Sequence, residues 1–594
     1  MRTNRKTEEK KMSMSKNIAR LAVTAGLTAA LSFGGVMAPV TMAFAAEGTA
    51  ATANTITINK NEKNGDVKYK AYQIFKADVV DESDNSDKVV SNVDWAANLK
   101  DNDKAKADII NAIKGAAGGN SLPDKPSAQD IADWLSDKNH VNTSTDTRLD
   151  KDHVLNKIAK AIIDNNIAQT GDSFKADEPF KATSNGYYLF VTDENSLSTP
   201  QDAKANTGTS PIFAVVGGKG VTVVEKTKIP TINKEVLNVK ESKDGYTAQE
   251  GWSNVANSQV GQEVSYKLTG SIADNYATYD SYAYKFTDTL SGGLTYVGNS
   301  LEVYALNNGS YTKISPNSYT LVEPTESNNV LTVNFDKDKG LKSATAANAG
   351  DTLNIGAETQ IVVFYKAKLN SKASYSVAGN DNKAYLEYSN NPMAVGTGKS
   401  ETKVVTDYVF GLDVTKVDEG TGEPLKGDEK LQAGFKVRVV EGDEDTLKDK
   451  WLGANGEIVD SEHAHEFMTE ANTGKVSIPG LDAGTYEITE TTTPSGYNTI
   501  APFQITVKPT YDIAGKLSGL TVTDTSEKVN SEKTNENVNT TKIPVTIQNK
   551  KGSGLPLTGL NGVTFTWIAG GAVLCIGVAH LIRSRKQAEE SEQE

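Results

Sequence analysis

The chain has 594 residues and a formal net charge of −14 at pH 7. This acidic balance argues against a nucleic-acid-binding protein, because such proteins present a basic face. At roughly 100–200 residues per domain, the length predicts about three domains. Cys575 is the single cysteine, so the chain has no internal disulfide and other interactions must stabilise it.

The N-terminus has the pattern of a secretory signal peptide. Several basic residues precede a largely apolar stretch over residues 21–37. Ala43-Phe44-Ala45 then fits a small-x-small cleavage site, so we predict a signal peptide over residues 1–45. Met12 and Met14 are alternative start residues. The pattern predicts an exported protein.

The hydrophobic pattern changes along the remaining chain. Strand-like alternation begins at about Thr55, and apolar residues recur at helical spacing from about Asp94 to Asn166. From about residue 211 to 550, runs of Val, Thr, Tyr and Ile are broken by turn residues, as in β-sandwiches. The predicted fold class is mainly β, with tandem Ig-like sandwiches and a helical insertion in the first domain. The predicted domains are an N-terminal domain over 46–228, a middle domain over 229–405 and a C-terminal domain over 406–552.

The C-terminal tail combines three features in a fixed order. Leu555-Pro556-Leu557-Thr558-Gly559 precedes an apolar run over 563–582, which has about the length of a membrane-spanning helix. Basic residues over 583–586 then hold the end on the cytoplasmic side. The order resembles the sorting signal of Gram-positive surface proteins, here residues 555–594. The resemblance implies that a sortase cleaves between Thr558 and Gly559 and joins the Thr558 carbonyl to an amine. An ordinary single-pass tail is the alternative.

Two sets of three polar residues fall on the apolar faces of predicted strands, because strand side chains alternate with period 2. Lys416, for example, shares a face with Phe410, Leu412 and Val414. Each set combines a lysine, a carboxylic acid and an asparagine. The sets are Lys416, Glu490 and Asn549 in the C-terminal domain, and Lys234, Asp288 and Asn390 in the middle domain.

These sets predict intramolecular isopeptide bonds. A buried amine tends to lose its charge and become nucleophilic. It can then attack the asparagine carbonyl while the carboxyl group binds that oxygen and carries protons. Ammonia leaves, and an amide ties the first strand of the domain to its last strand. The alternative is that each residue ends its strand at the rim, with the lysine reaching water.

Further motifs resemble sortase-assembled Gram-positive major pilins with CnaA-like and CnaB-like domains. Lys416-Val417-Asp418 and the stretch from Tyr486 to Thr491 are similar to a CnaB-type domain and its E-box. Thr287-Asp288-Thr289-Leu290 is similar to a CnaA-type domain. Two aromatic motifs resemble the N-terminal pilin domain, namely Tyr69 to Phe75 and Gly186 to Leu189.

The resemblance also implies an intersubunit lysine at the junction of the first two domains. Lys226 occupies the matching position, although the Tyr and Pro of the family motif are missing, and Lys228 is the alternative. In the first domain, Lys60 could be inward-facing and bonded, or Glu225 could pair with it instead. His463 and His465 form only a weak metal motif, so we expect no metal and no cofactor.

These features predict a structural subunit of a covalent pilus on the cell wall, anchored to peptidoglycan and supporting adhesion, and not an enzyme. The expected partners are a class C (pilin) sortase, a housekeeping sortase, other copies of the chain, ancillary pilins, a peptidoglycan precursor and a host surface ligand, but no nucleic acid. The alternatives are a monomeric wall-anchored adhesin, an ancillary pilin and a wall-anchored enzyme.

Overall fold

A computed structural model describes residues 53–81, 88–136, 140–141, 149–202, 205–225, 227–237, 245–442, 447–531, 534–535 and 540–552. Its strands fall into three successive groups, and each group forms two sheets that enclose a hydrophobic core. The predicted mainly β fold class is therefore confirmed.

The first group forms a three-stranded sheet with the order β5-β1-β8 and a five-stranded sheet with the order β3-β2-β6-β7, in which β4 also pairs with β2. Strand β1 pairs with β8 in parallel and with β5 in antiparallel orientation. The strands are β1 (Thr55–Asn59), β2 (Lys68–Asp81), β3 (Lys88–Trp95), β4 (Phe174–Lys175), β5 (Pro179–Lys181), β6 (Gly186–Thr192), β7 (Ile212–Val216) and β8 (Val221–Val224).

Among the described residues, four α-helices separate β3 from β4, as the helical spacing predicts. In the second helix, the Asn102 side chain caps the N-terminus by accepting from the Ala105 amide, and Ile109 and Ile113 are buried one turn apart. The helices are α1 (Ala97–Lys100), α2 (Asp103–Lys114), α3 (Ala128–Ser136) and α4 (Val154–Asp164).

The middle group forms a sandwich of two seven-stranded sheets. One sheet has the order β10-β9-β12-β19-β15-β16 with β14 on β19, and the other has β11-β22-β20-β13-β18-β17 with β21 on β20. The strands are β9 (Ile232–Leu237), β10 (Trp252–Ser253), β11 (Val255–Asn257), β12 (Glu263–Ser271), β13 (Tyr284–Leu290), β14 (Leu294–Tyr296), β15 (Glu302–Asn307), β16 (Ser310–Lys313), β17 (Thr320–Val322), β18 (Val330–Phe335), β19 (Gln360–Leu369), β20 (Asn380–Ser389), β21 (Thr397–Lys399) and β22 (Lys403–Tyr408).

The last group forms a four-stranded sheet with the order β28-β23-β34-β32 and an eight-stranded sheet with the order β26-β25-β24-β29-β30-β31-β33, with β27 on β24. The strands are β23 (Phe410–Asp418), β24 (Gly434–Glu441), β25 (Trp451–Leu452), β26 (Ile458–Val459), β27 (Phe467–Met468), β28 (Lys475–Leu481), β29 (Gly484–Thr492), β30 (Phe503–Tyr511), β31 (Leu517–Asp524), β32 (Val529–Ser531), β33 (Thr534–Asn535) and β34 (Lys542–Asn549).

Hydrogen bonds join the three groups at both junctions. The Gly208 amide of the first group donates to the Asn390 carbonyl oxygen of the second at 2.7 Å. The Thr541 amide of the last group donates to the Tyr375 carbonyl oxygen at 2.9 Å. No helix within the described residues has the length and hydrophobicity to cross a bilayer. The predicted span over 563–582 and the predicted signal peptide lie outside the described residues.

Candidate functional site

The C-terminal domain brings its predicted lysine, carboxyl group and asparagine together. Lys416 lies on β23 and Asn549 ends β34, which is the parallel neighbour of β23 in the same sheet. Glu490 lies on β29 of the opposite sheet. All three residues continue the inward-facing side of their strands, which is why the sequence alternation placed them in the core.

This cluster is closely hydrogen-bonded and buried. The Lys416 ammonium donates to Asn549 Oδ1, and it lies 3.3 Å from Glu490 Oε1. The Asn549 amide nitrogen donates to both Glu490 oxygens, at 2.8 and 3.1 Å. The side chains of Lys416 and Glu490 are 0% exposed. Burial lowers the pKa of Lys416 to about 8, although the adjacent Glu490 opposes this shift.

The arrangement has the parts that amide exchange requires. A lysine with a lowered pKa is more often the neutral nucleophile at physiological pH. Its nitrogen touches the carbonyl oxygen of the group that it would attack, and the carboxyl group touches the nitrogen that would leave. Glu490 is itself held by the Ile500 amide, which donates to Oε2 at 3.0 Å.

The middle domain holds a second buried cluster, built across its two sheets. Lys234 on β9 donates to Asp288 Oδ2 on β13 at 2.5 Å, and both side chains are at most 1% exposed. Burial lowers the pKa of Lys234 from its ordinary value, and Asp288 opposes the shift. Tyr365 on β19 donates to the same Asp288 oxygen at 2.7 Å. The amide nitrogen of Asn382, a fully buried residue on β20, donates to the Tyr365 hydroxyl at 2.6 Å.

The prediction that Asn390 completes this cluster is wrong. Asn390 is buried, but its side-chain nitrogen donates to the Ser198 carbonyl oxygen at 2.8 Å, at the junction with the first domain. Asp288 lies opposite Ala384 in the sheet, six residues before Asn390. At about 3.3 Å per residue, this offset removes Asn390 from Asp288 by roughly 20 Å.

Asn382 is the residue that sequence reasoning missed. Strands β13 and β20 are antiparallel, so the end of β13 meets the start of β20, and Leu290 lies opposite Asn382. In the C-terminal domain, by contrast, β23 and β34 are parallel and both polar residues lie near the strand ends. Asn382 shares the buried face of Ala384 and Leu386, so an antiparallel pairing of these strands would have indicated it.

The first domain has no equivalent cluster within the part of the chain described. Lys60 is part-exposed and pairs with Asp66 at 2.5 Å, so the alternative pairing with Glu225 is wrong. Glu225 is buried and accepts hydrogen bonds from the Tyr69 hydroxyl at 2.5 Å and the Asn61 amide at 2.9 Å. Because the Lys60 amine is partly exposed and ion-paired, it is not the buried nucleophile that a bond there requires.

The predicted polymerisation residues are only partly covered by the structure. Lys226 and the motif Leu555-Pro556-Leu557-Thr558-Gly559 lie outside the described residues. On either side of Lys226, Glu225 and Thr227 are buried while Lys228 is exposed. His463 and His465 are both exposed, and His465 packs edge-on against Phe467. The described residues contain no group of three or more potential ligands that could hold a metal ion.

Comparisons with known proteins agree with this architecture. Residues 410–518 match the family model described as SpaA, prealbumin-like fold domain. The trypsin-resistant surface T6 protein of Streptococcus pyogenes serotype M6 is 27% identical over 286 residues, which cover 47% of this chain and 46% of that protein. The chain thus matches this curated relative over about half of the relative's length.

Similar solved structures include two pilins. The T6 backbone pilin of serotype M6 Streptococcus pyogenes is 16% identical with a TM-score of 0.47, covering 85% of this chain and 100% of that one. The full-length major pilin SpaD from Corynebacterium diphtheriae is 16% identical with a TM-score of 0.41, covering 84% of this chain and 98% of that one. The matched domain and the curated relative confirm the predicted resemblance to Gram-positive major pilins.

Proposed function

We propose that this chain is the backbone subunit of a covalent pilus on a Gram-positive cell wall, locked internally by two Lys-Asn isopeptide bonds. The observation that carries the proposal is the buried contact of Lys416, Asn549 and Glu490. Residues 410–518, which match the SpaA family model, include Lys416 and Glu490. Such a subunit must withstand pulling and proteases without disulfides, and an amide between first and last strands serves that need.

The bond in the C-terminal domain would form by amide exchange. The Lys416 amine, neutral after losing its proton to solvent, attacks the side-chain carbonyl carbon of Asn549. Glu490 takes a proton from the attacking nitrogen and gives it to the Asn549 nitrogen, which leaves as ammonia. Glu490 ends in the protonation state in which it began, and no other reactant is consumed. Lys234 and Asn382 would form the second bond, promoted by Asp288.

Polymerisation would use the two ends of the chain. A class C sortase would cleave after Thr558 and hold this residue as an acyl intermediate. The amine of Lys226 on the next copy would resolve the intermediate and join the two subunits. A housekeeping sortase would finally transfer the fibre to a peptidoglycan precursor. Lys226 is preferred because its place in the sequence, at the junction of the first two domains, matches that of the acceptor lysine in the pilins that this chain resembles.

The proposed fibre is tested by immunoblotting boiled cell-wall extracts of strains that carry wild type, Lys226→Ala or Lys228→Ala. We expect a high-mass ladder in wild type and in Lys228→Ala, and a monomer in Lys226→Ala. A ladder lost only in Lys228→Ala would move the acceptor to that residue. A monomer-sized band in wild type would contradict the fibre and favour the wall-anchored adhesin.

Resistance to proteolysis is a further property that we propose for this chain. The curated relative is named as trypsin-resistant. Cleavage by trypsin requires local opening of the chain, and a covalent link between terminal strands limits such opening. Trypsin should therefore digest Asn549→Ala, which has no bond in its last domain, faster than wild type.

A further inference from the structure

The Tyr365 hydroxyl is the centre of the buried cluster in the middle domain. It donates to Asp288 Oδ2 at 2.7 Å and accepts from the Lys234 ammonium at 3.2 Å and from the Asn382 amide at 2.6 Å. One donor and two acceptor sites are all that a hydroxyl has. The phenol therefore joins the nucleophile, the carboxyl group and the leaving nitrogen of the proposed reaction.

The two clusters differ in how the carboxyl group reaches the asparagine. Glu490 binds the Asn549 nitrogen directly with both oxygens. Asp288 is one methylene shorter and has no hydrogen bond to Asn382; its Oδ1 and the Asn382 Oδ1 lack partners in the described part of the chain. The Tyr365 hydroxyl hydrogen-bonds to both side chains and so connects Asp288 with Asn382. The C-terminal cluster has Phe435 beside its lysine, which offers no hydroxyl.

Packing holds Tyr365 in place independently of these hydrogen bonds. Its ring stacks on Tyr266 of the adjacent strand β12 with centroids 5.2 Å apart. Both rings are fully buried, and the Tyr266 hydroxyl has no partner among the described residues. The Tyr365 hydroxyl thus belongs to the hydrogen-bond network of the cluster and the Tyr266 hydroxyl does not. Tyr266 is therefore a matched control for Tyr365.

We propose that Tyr365 is a catalytic residue of the middle domain, which carries a proton from Asp288 to the departing nitrogen of Asn382. This inference rests on the proposed Lys234–Asn382 bond. Positioned proton transfer contributes on the order of 100-fold or more to a reaction rate. A mobile phenol could not serve this role, but Tyr365 is fixed by stacking on one side and by three hydrogen bonds on the other.

The proposed step balances without a further reactant. Asp288 takes a proton from the Lys234 ammonium, and the neutral nitrogen forms a bond to the Asn382 side-chain carbonyl carbon. Tyr365 gives its hydroxyl proton to Asn382 Nδ2 and receives the proton of Asp288. The carbon–nitrogen bond to Nδ2 breaks and ammonia leaves. The new amide nitrogen returns its extra proton to Asp288, and Tyr365 ends neutral.

The test compares bond formation in the full chain carrying Tyr365→Phe, Tyr266→Phe or no change. Each chain is collected unfolded, refolded and sampled into acid over time, and the linked peptides are counted by mass spectrometry. We expect Tyr365→Phe to slow the Lys234–Asn382 link on the order of 100-fold. The Lys416–Asn549 link of the same molecules should form at an unchanged rate, as should both links in Tyr266→Phe.

A rescue variant separates the proton path from a packing effect. Glutamate at position 288 should reach Asn382 directly, as Glu490 reaches Asn549, so Asp288→Glu combined with Tyr365→Phe should recover the link. This double variant also tests the proposal if the single variant does not fold. A wild-type rate in folded Tyr365→Phe, or a folded double variant without recovery, would overturn the relay. Absence of the link from wild type would overturn the proposed middle-domain bond as well.

Discussion

Asp288, near the end of β13, lies diagonally across the sheet from Asn382, near the start of the antiparallel strand β20. This relationship decides which asparagine the middle domain can use. It also makes the two proposed bonds topologically different. The proposed bond from Lys416 would join neighbouring strands of one sheet, whereas the proposed bond from Lys234 would join the two sheets of a sandwich.

The first prediction concerns the choice of asparagine. Asn382→Ala should increase the intact mass by the ammonia that the middle-domain bond no longer releases, after correction for the substitution. Asn390→Ala is the matched control, because Asn390 is buried directly after the same strand but its side chain donates to the Ser198 carbonyl oxygen. Its ammonia deficit should equal that of wild type. If mass spectrometry shows that Asn390→Ala and not Asn382→Ala loses the ammonia deficit, Asn390 is the residue that reacts.

The second prediction concerns stability of the C-terminal domain. The proposed link spans 133 residues between Lys416 and Asn549. Chain-entropy arguments for crosslinks give about 5 kcal/mol for a loop of this length. Asn549→Ala should lower the free energy of unfolding by about that amount in guanidinium titrations. Asp413→Ala changes an exposed residue on the same strand and should stay within about 0.5 kcal/mol of wild type.

The third prediction concerns the pH dependence of the Lys416 reaction. Burial lowers the pKa of Lys416 from 10.5 to about 8, so the neutral amine gains population as pH rises towards 8. In chains refolded from the unfolded state, the rate of the chemical step should fall about five-fold from pH 8 to 7 and about ten-fold more from 7 to 6. A rate that is equal at pH 6 and 8 in acid-quenched samples would argue against a neutral amine.

The same pKa shift fixes the sign of a stability effect in unlinked protein. The folded-state pKa of Lys416 is depressed, so folding favours the deprotonated amine. An unlinked variant such as Asn549→Ala that keeps this depressed pKa should therefore gain stability as pH rises from about 8 to 10.5. Urea titrations across that window measure it, and adding Lys416→Met should remove this contribution.

The fourth prediction concerns the junction of the middle and C-terminal domains. Gln259 is fully buried; its amide nitrogen donates to the carbonyl oxygens of Gly480 and Gly456, and its Oε1 accepts from Tyr486. Gln259→Ala should cost about 1–3 kcal/mol, because buried polar groups lose their partners. Thermal unfolding would measure the loss. Glu263→Ala, an exposed nearby change, should have little effect on the same measurement.

The strand alternation alone was sufficient to place six polar residues in the core. Alternation predicts Lys416, Glu490 and Asn549 as a set because each ends an apolar stripe, and all three are buried and in contact. Period-2 alternation determines which face a side chain occupies, and burial of one face fixes that choice. The same reasoning correctly buried Lys234, Asp288 and Asn390.

Alternation does not determine which buried residues meet, because it carries no information on strand direction or sheet order. Asn382 lies on β20 and Asn390 directly follows this strand in the same alternation, and only the antiparallel pairing with β13 selects Asn382. The sequence pattern does not indicate a functional role for Tyr365 either, since a tyrosine on an apolar strand face is usually a core residue. Composition and strand alternation predict the mainly β class, the buried faces and the C-terminal cluster. The partners in the middle domain depend on the tertiary structure, because only folding brings β9, β13, β19 and β20 together across two sheets.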